Sequence, residues 1–150
     1  MKTEAGEMVV EHAPPRHRVV IVGGGFGGLR AARALGRLPI DVTLIDRKNH
    51  HVFQPLLYQV ATGVLSEGQV APALRSFFRR RQSVQVEMGE VRGFDLARRV
   101  VRTWSGREVE VPYDTLIVAA GASHSYFGHE EWRAIAPGIK TPQPHDTARP

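Results

Sequence analysis

Positions 23–28 hold five glycines in the stretch "VVIVGGGFGGLRAARAL". Gly23, Gly25 and Gly28 keep the spacing G-x-G-x-x-G, in which each glycine answers a separate demand. The first permits a tight turn, the second lets a pyrophosphate come against the backbone, and the third lets a helix pack close to a strand. Gly24 and Gly27 add room. A carboxylate, Asp46, follows about 20 residues on, at the end of a second apolar run. There it can accept hydrogen bonds from the hydroxyls of an adenosine ribose, and it repels a 2′-phosphate. These residue types point to binding of a dinucleotide other than NADP. The spacing does not choose between FAD and NAD, because both carry ADP-ribose.

Such residues need elements to place them. Residues 19–22 form a continuous apolar run, the pattern of a strand buried on both faces. Residues 27–37 are rich in Ala, Leu and Arg and predict a helix, closed by Leu38-Pro39. "VTLI", ending at Asp46, predicts a second buried strand. The three together make a βαβ unit, whose strands should be parallel and whose crossover right-handed. "RKNHHVFQPLLYQVATG" has no clean period and reads as a long excursion with a short helix at residues 55–59; such excursions are usually functional. Residues 70–81 predict an amphipathic helix. "VQVEMGEV" alternates as a strand, and "RRVVRTW" and "REVEVPY" flank a Ser105-Gly106 turn as a hairpin. "TLIVA" predicts a third buried strand, running into Ala120-Gly121-Ala122. The fold class expected is α/β: a Rossmann-like domain with a parallel central sheet and an inserted antiparallel hairpin or meander. Residues 1–16 read as a flexible arm, 17–141 as the domain and 142–150 as a disordered tail.

The bulk composition narrows the chemistry. The chain has 150 residues, a net charge of +5 and no cysteine. Disulfide and thiolate chemistry are therefore excluded within it. His50 and His51 stand next to each other without a second group of ligands, so a structural role is expected and no metal site. The basic cluster "RSFFRRR" at residues 75–81 could face anionic lipid or nucleic acid. Its simpler reading is a solvated helix end, and no nucleic-acid partner is expected. No apolar run reaches the roughly 20 residues of a membrane span, and the start lacks the apolar core of a signal peptide. A cytoplasmic location follows, with attachment to the cytoplasmic face of a membrane left open.

Three stretches, "VVIVGGGFGGLRAARAL", "LIDRKNHHVFQPLLYQVATG" and "YDTLIVAAGASHSYFGHEEW", resemble the N-terminal part of the type II NADH dehydrogenases. These are single-subunit flavoproteins that pass electrons from NADH to quinone. The resemblance runs over residues 17–141 and implies that FAD occupies the glycine-rich site. Carried across, it puts Gly23, Gly25, Phe26, Gly27 and Gly28 around the pyrophosphate. It puts Asp46 at the adenosine ribose with Arg47 beside it, and the backbone of Val91 at the adenine edge. Thr62 would approach the flavin ring, and Ala120, Gly121 and Ala122 would pass close to the cofactor at the end of the third strand. Tyr58 and Gln59 would either line the flavin pocket or pack under the loop. No catalytic residue is assigned. The family's NADH domain, the returning FAD segment and the quinone-side residues have no counterpart in the sequence, so the reading is of a truncated, poorly active part. The alternative is a non-catalytic remnant that holds NAD or FAD.

Overall fold

A computed structural model describes residues 15–122 and 125–135. Four strands run parallel in one sheet: β1 (Arg18–Val22), β2 (Asp41–Asp46), β3 (Val84–Met88) and β7 (Thr115–Val118), in the order β3-β2-β1-β7. Between β1 and β2 lies the helix α1 (Phe26–Leu35). The other three strands, β4 (Glu90–Asp95), β5 (Val100–Trp104) and β6 (Glu108–Pro112), form an antiparallel meander.

The burial pattern explains the layering. Alternate residues of β1 face opposite ways, and both sets are buried. Val19 and Ile21 join Leu29 and Ala32 of α1, Leu44, Leu74 and Phe78 on one face. Val20 and Val22 join Ile45, Val101 and Tyr113 on the other. One face of the parallel sheet is thus covered by helix and the other by the meander. Burial of a Val, Leu or Ile side chain is worth about 1.5–3 kcal/mol, so the run at 19–22 holds three layers together.

Three expectations need correction. "TLIVA" does not form a buried strand: β7 stands at the edge of the sheet, where Thr115 and Val118 are exposed. Residues 70–81 do not form a helix. Helix α3 (Glu67–Val70) ends there, and a 3₁₀ turn covers only Leu74–Phe78. Pro72 disfavours the helical region for the residue before it, and Ala71 lies at φ −128°, ψ 63°. The freed backbone bonds across to the excursion instead: His51 N–H donates to Pro72 O, Phe53 N–H to Val70 O and Leu74 N–H to Asn49 O. Nor is "VQVEMGEV" one strand. Gly89 divides it, leaving β3 in the parallel sheet and β4 in the meander, which extends the expected hairpin to three strands. Residues 1–14 of the arm expected at 1–16, and the whole tail expected at 142–150, lie outside the described residues. Among the described residues, no helix is long and apolar enough to cross a membrane.

Candidate functional site

Strand order decides where a site can form. The chain passes from β1 to β2 on one side, while β7 pairs with β1 on the other. A crevice opens at such a reversal, outside the carboxyl ends of the strands. The glycine loop leaves β1 into it. Ala119 through Ala122 leave β7 beside it, with Ala119 N–H donating to Val22 O at 2.8 Å.

The glycines divide their work as the spacing implies. Gly23 has φ +105°, and a Cβ there would strike the Ala119 carbonyl. At Gly28 a Cβ would strike the Gly23 carbonyl and press on Ile21, so this glycine lets α1 approach β1. Gly25 is different. It caps α1 with an extended backbone (φ −70°, ψ −167°), and no atom lies within 4 Å of where its Cβ would be. Neither backbone strain nor internal packing requires a glycine there. The open space lies at the N-terminus of a helix with no acidic residue in its first turn, where unpaired N–H groups and a partial positive charge favour phosphate. The residues present fit the pyrophosphate of a dinucleotide.

Gly24 does more than add room. Its N–H donates to Asp46 Oδ2 at 2.6 Å, and its carbonyl lies 2.9 Å from His51 Nδ1. A carbonyl only accepts, so Nδ1 carries the proton. Leu74 occupies the space a Cβ would need. The buried His51 ring also meets Phe26 edge-on, with centroids 5.0 Å apart. Gly24 is therefore held by three segments: its N–H by Asp46 at the end of β2, its carbonyl by His51 of the excursion, and its α-carbon side by Leu74 of the 3₁₀ turn. Sequence reasoning assigned His51 a structural role without finding this partner, and it missed Leu74. The only signal was a Gly24 that the G-x-G-x-x-G spacing leaves unexplained.

Asp46 stands at the end of β2, and its Oδ1 also accepts from Lys48 N–H at 2.7 Å. A carboxylate offers about four acceptor positions, so two remain for ribose hydroxyls. Arg47 is exposed next to it. Gly89 N–H donates to Asp46 O at 2.9 Å and carries the chain past this point to Val91, which sits in β4 at a register shift. A Cβ at Gly27 would meet only the Ala119 side chain, at an ordinary 3.8 Å. Ala120, Gly121 (φ +74°) and Ala122 are exposed at the crevice rim. Thr62 stands apart: it ends helix α2 (Leu57–Ala61), and its hydroxyl bonds to the carbonyls of Tyr58 and Gln59. Tyr58 and Gln59 are themselves exposed. Among the described residues, no group of His, Asp and Glu stands at metal-binding geometry.

The family profile described as pyridine nucleotide-disulphide oxidoreductase matches residues 17–143. Two type II NADH:quinone oxidoreductases of Mycobacterium tuberculosis, NdhA and Ndh, are 56% and 54% identical to this chain over 127 and 129 residues. Those matches take in 84% and 85% of this chain but only 27% and 28% of the relatives. Among solved structures, NDH2 from Plasmodium falciparum in complex with NADH superposes with a TM-score of 0.69 at 26% identity, over 75% of this chain and 24% of that one. A sulfide:quinone oxidoreductase of Aquifex aeolicus superposes with a TM-score of 0.62, also at 26% identity, over 77% of this chain and 27% of that one. The chain spans about a quarter of the length of each, and it belongs to the pyridine nucleotide-disulphide oxidoreductase family, beside the type II NADH:quinone oxidoreductases.

Proposed function

We propose that this chain is the FAD-binding part of an oxidoreductase that passes electrons from NADH to a quinone. The observation that carries the reading is Gly25, a glycine that nothing inside the chain requires, at the N-terminus of α1. The kinship to NADH:quinone oxidoreductases favours FAD over NAD as the dinucleotide. In this reading the amides at the start of α1, with Gly23, Gly25, Phe26, Gly27 and Gly28, hold the pyrophosphate. Asp46 accepts from the ribose, Arg47 lies beside it, and the backbone of Val91 reads the adenine edge. Thr62 approaches the flavin ring, and Ala120, Gly121 and Ala122 run close to the cofactor at the end of β7. Bound flavin would supply the hydride acceptor and the electron relay. The chain's own work is to bind, orient and shield. Disulfide chemistry has no place in it, because the 150 residues contain no cysteine.

NADH and quinone belong to the activity of the longer relatives and are proposed as partners of the whole enzyme. The test is the absorbance spectrum of the purified chain after FAD loading and desalting. Flavin bands near about 370 and 450 nm, a property of the cofactor, are the expected result. A colourless, folded chain that retains NAD would replace the reading with a non-catalytic NAD-binding domain.

A further inference from the structure

The basic cluster at residues 75–81 is divided. The 3₁₀ turn Leu74–Phe78 ends at Arg79, and Arg79 and Arg80 are exposed there as a solvated end. Arg75 donates to the Val86 carbonyl. Arg81 instead faces α1. Arg30 and Arg33, three residues apart, share one side of that helix, and Arg37 lies just past its end. With Arg81 they line a hollow of about 430 Å³ that contains no carboxylate. Among the described residues, Arg16, Arg18 and Arg98 pair with carboxylates, and none of these three lies here. The contacts that the hollow's arginines do make position charge without cancelling it. The Arg33 guanidinium lies 4.7 Å over the Phe77 ring, and Arg81 Nη1 donates to Arg33 O at 3.4 Å.

A second hollow adjoins the first. It measures about 600 Å³, shares Arg30, Arg33 and Phe77, and continues along Leu29, Phe53 and Leu56 as far as Phe26 and His51, which flank the glycine loop. It too lacks any carboxylate. Phe53 is 41% exposed. A cationic hollow thus runs into a mainly apolar one, the two meeting at Arg30, Arg33 and the Phe77 ring.

We propose that this face binds an anionic phospholipid of a membrane surface, with the phosphate on Arg30, Arg33, Arg37 and Arg81 and an acyl chain along Phe77, Leu29 and Phe53. Guanidinium forks match phosphate oxygens two at a time and shed water more readily than ammonium groups. The neighbouring groove offers mainly apolar atoms, which an acyl chain covers at no cost in hydrogen bonds. A nucleic acid fits less well, because its phosphates would need the positive charge to continue where the groove becomes apolar.

The test is co-sedimentation of the full 150-residue chain with vesicles of phosphatidylcholine, alone or with about one-third phosphatidylglycerol. The proposal expects binding to the anionic vesicles at least tenfold tighter than to the neutral ones, weakening as salt rises. Each basic residue near an anionic surface is worth about fivefold. Arg37→Gln with Arg81→Gln should therefore weaken binding tenfold or more, and Phe53→Ser should weaken it with the circular dichroism unchanged. The same charge change on the meander, Arg92→Gln with Arg107→Gln, should alter binding less than twofold. Equal binding to both vesicles, or equal losses from the two double variants, would overturn the proposal. So would displacement by about 1 mM glycerol phosphate, which would indicate a free-phosphate site, or tighter binding to single-stranded DNA than to the anionic vesicles.

Discussion

Gly25 carries the clearest prediction at the scale of single residues. Gly25→Val should leave the fold intact, because its backbone is extended and its Cβ space is open. It should abolish FAD binding in a titration, because the side chain fills the space a pyrophosphate needs. Unchanged affinity would remove the glycine loop from the site. Asp46→Ala should weaken FAD at least tenfold more than FMN, which has no adenosine ribose. Hydrogen bonds to a charged group are worth about 1.5–3 kcal/mol each. Equal losses for the two flavins would mean that Asp46 acts only through the Gly24 N–H it holds. His51 can be split into ring and donor. His51→Phe keeps the edge contacts with Phe26 and Phe77 but strands the Gly24 carbonyl, at a cost of about 1–3 kcal/mol. His51→Asn keeps a donor and loses the ring. If the hydrogen bond orders the loop, Asn should retain more affinity for ADP than Phe does; the reverse order would assign His51 to packing alone.

At the scale of elements, the segment that failed to become a helix has its own use. Leu74 is fully buried and packs against both the helical layer and Gly24. Leu74→Ala should cost about 2–5 kcal/mol in chemical denaturation and loosen the glycine loop. A loss under about 1 kcal/mol would mean the segment is not part of the core. At the opposite end of the sheet, Asp114 ties the starts of β1 and β7 together. Its carboxylate accepts from Arg18 Nη2 at 2.9 Å, from Arg18 N–H at 2.8 Å and from Arg18 Nε at 3.2 Å. First the guanidinium bonds and then the backbone N–H hold the Asp114 carboxyl well below its ordinary value. A carboxyl with a lowered folded-state pKa contributes stability above its unfolded pKa, about 3.9, and loses it as pH falls further. Asp114→Asn should therefore lower Tm at pH 7, and the gap to the unchanged protein should close below about pH 4. A gap that persists undiminished at pH 2 would mean the charge is irrelevant.

For the whole molecule, the described residues contain one strand–glycine–helix unit and no second one for a nicotinamide dinucleotide. Hydride transfer needs the reacting atoms held about 3–3.5 Å apart. The 150-residue chain loaded with FAD should thus oxidise NADH no faster than free FAD at the same concentration. A turnover of about 1 s⁻¹, within the ordinary enzyme range, would require a second nucleotide site. Among the described residues β7 is an edge strand, with Val118 61% exposed, and exposed edges pair with other chains.

Local pattern was enough for the βαβ unit, the hairpin turn at Gly106 and the spacing of Gly23, Gly25, Gly28 and Asp46. A continuous apolar run, a glycine at a forced turn and an acid at a strand end are each dictated by neighbours in sequence. The same holds for the capping box at Ser66 and Gln69, which forms as its S-x-x-Q spacing allows although it was not read in advance. Residues 70–81 were beyond such reasoning. Their periodicity suits a helix, but Pro72 interrupts it, and backbone bonds to residues 49–53 outweigh the propensity of so short a segment. The division at Gly89 was hidden for a related reason: which sheet a strand joins depends on partners distant in sequence, such as Val42 for β3 and Trp104 for β4. Sequence alone placed a glycine loop and a strand-end acid at the spacing a dinucleotide needs. Only the tertiary structure decided that Asp46, His51 and Leu74 converge on Gly24, and that arginines 44 to 51 residues apart share one hollow, because these contacts join segments that have no local reason to meet.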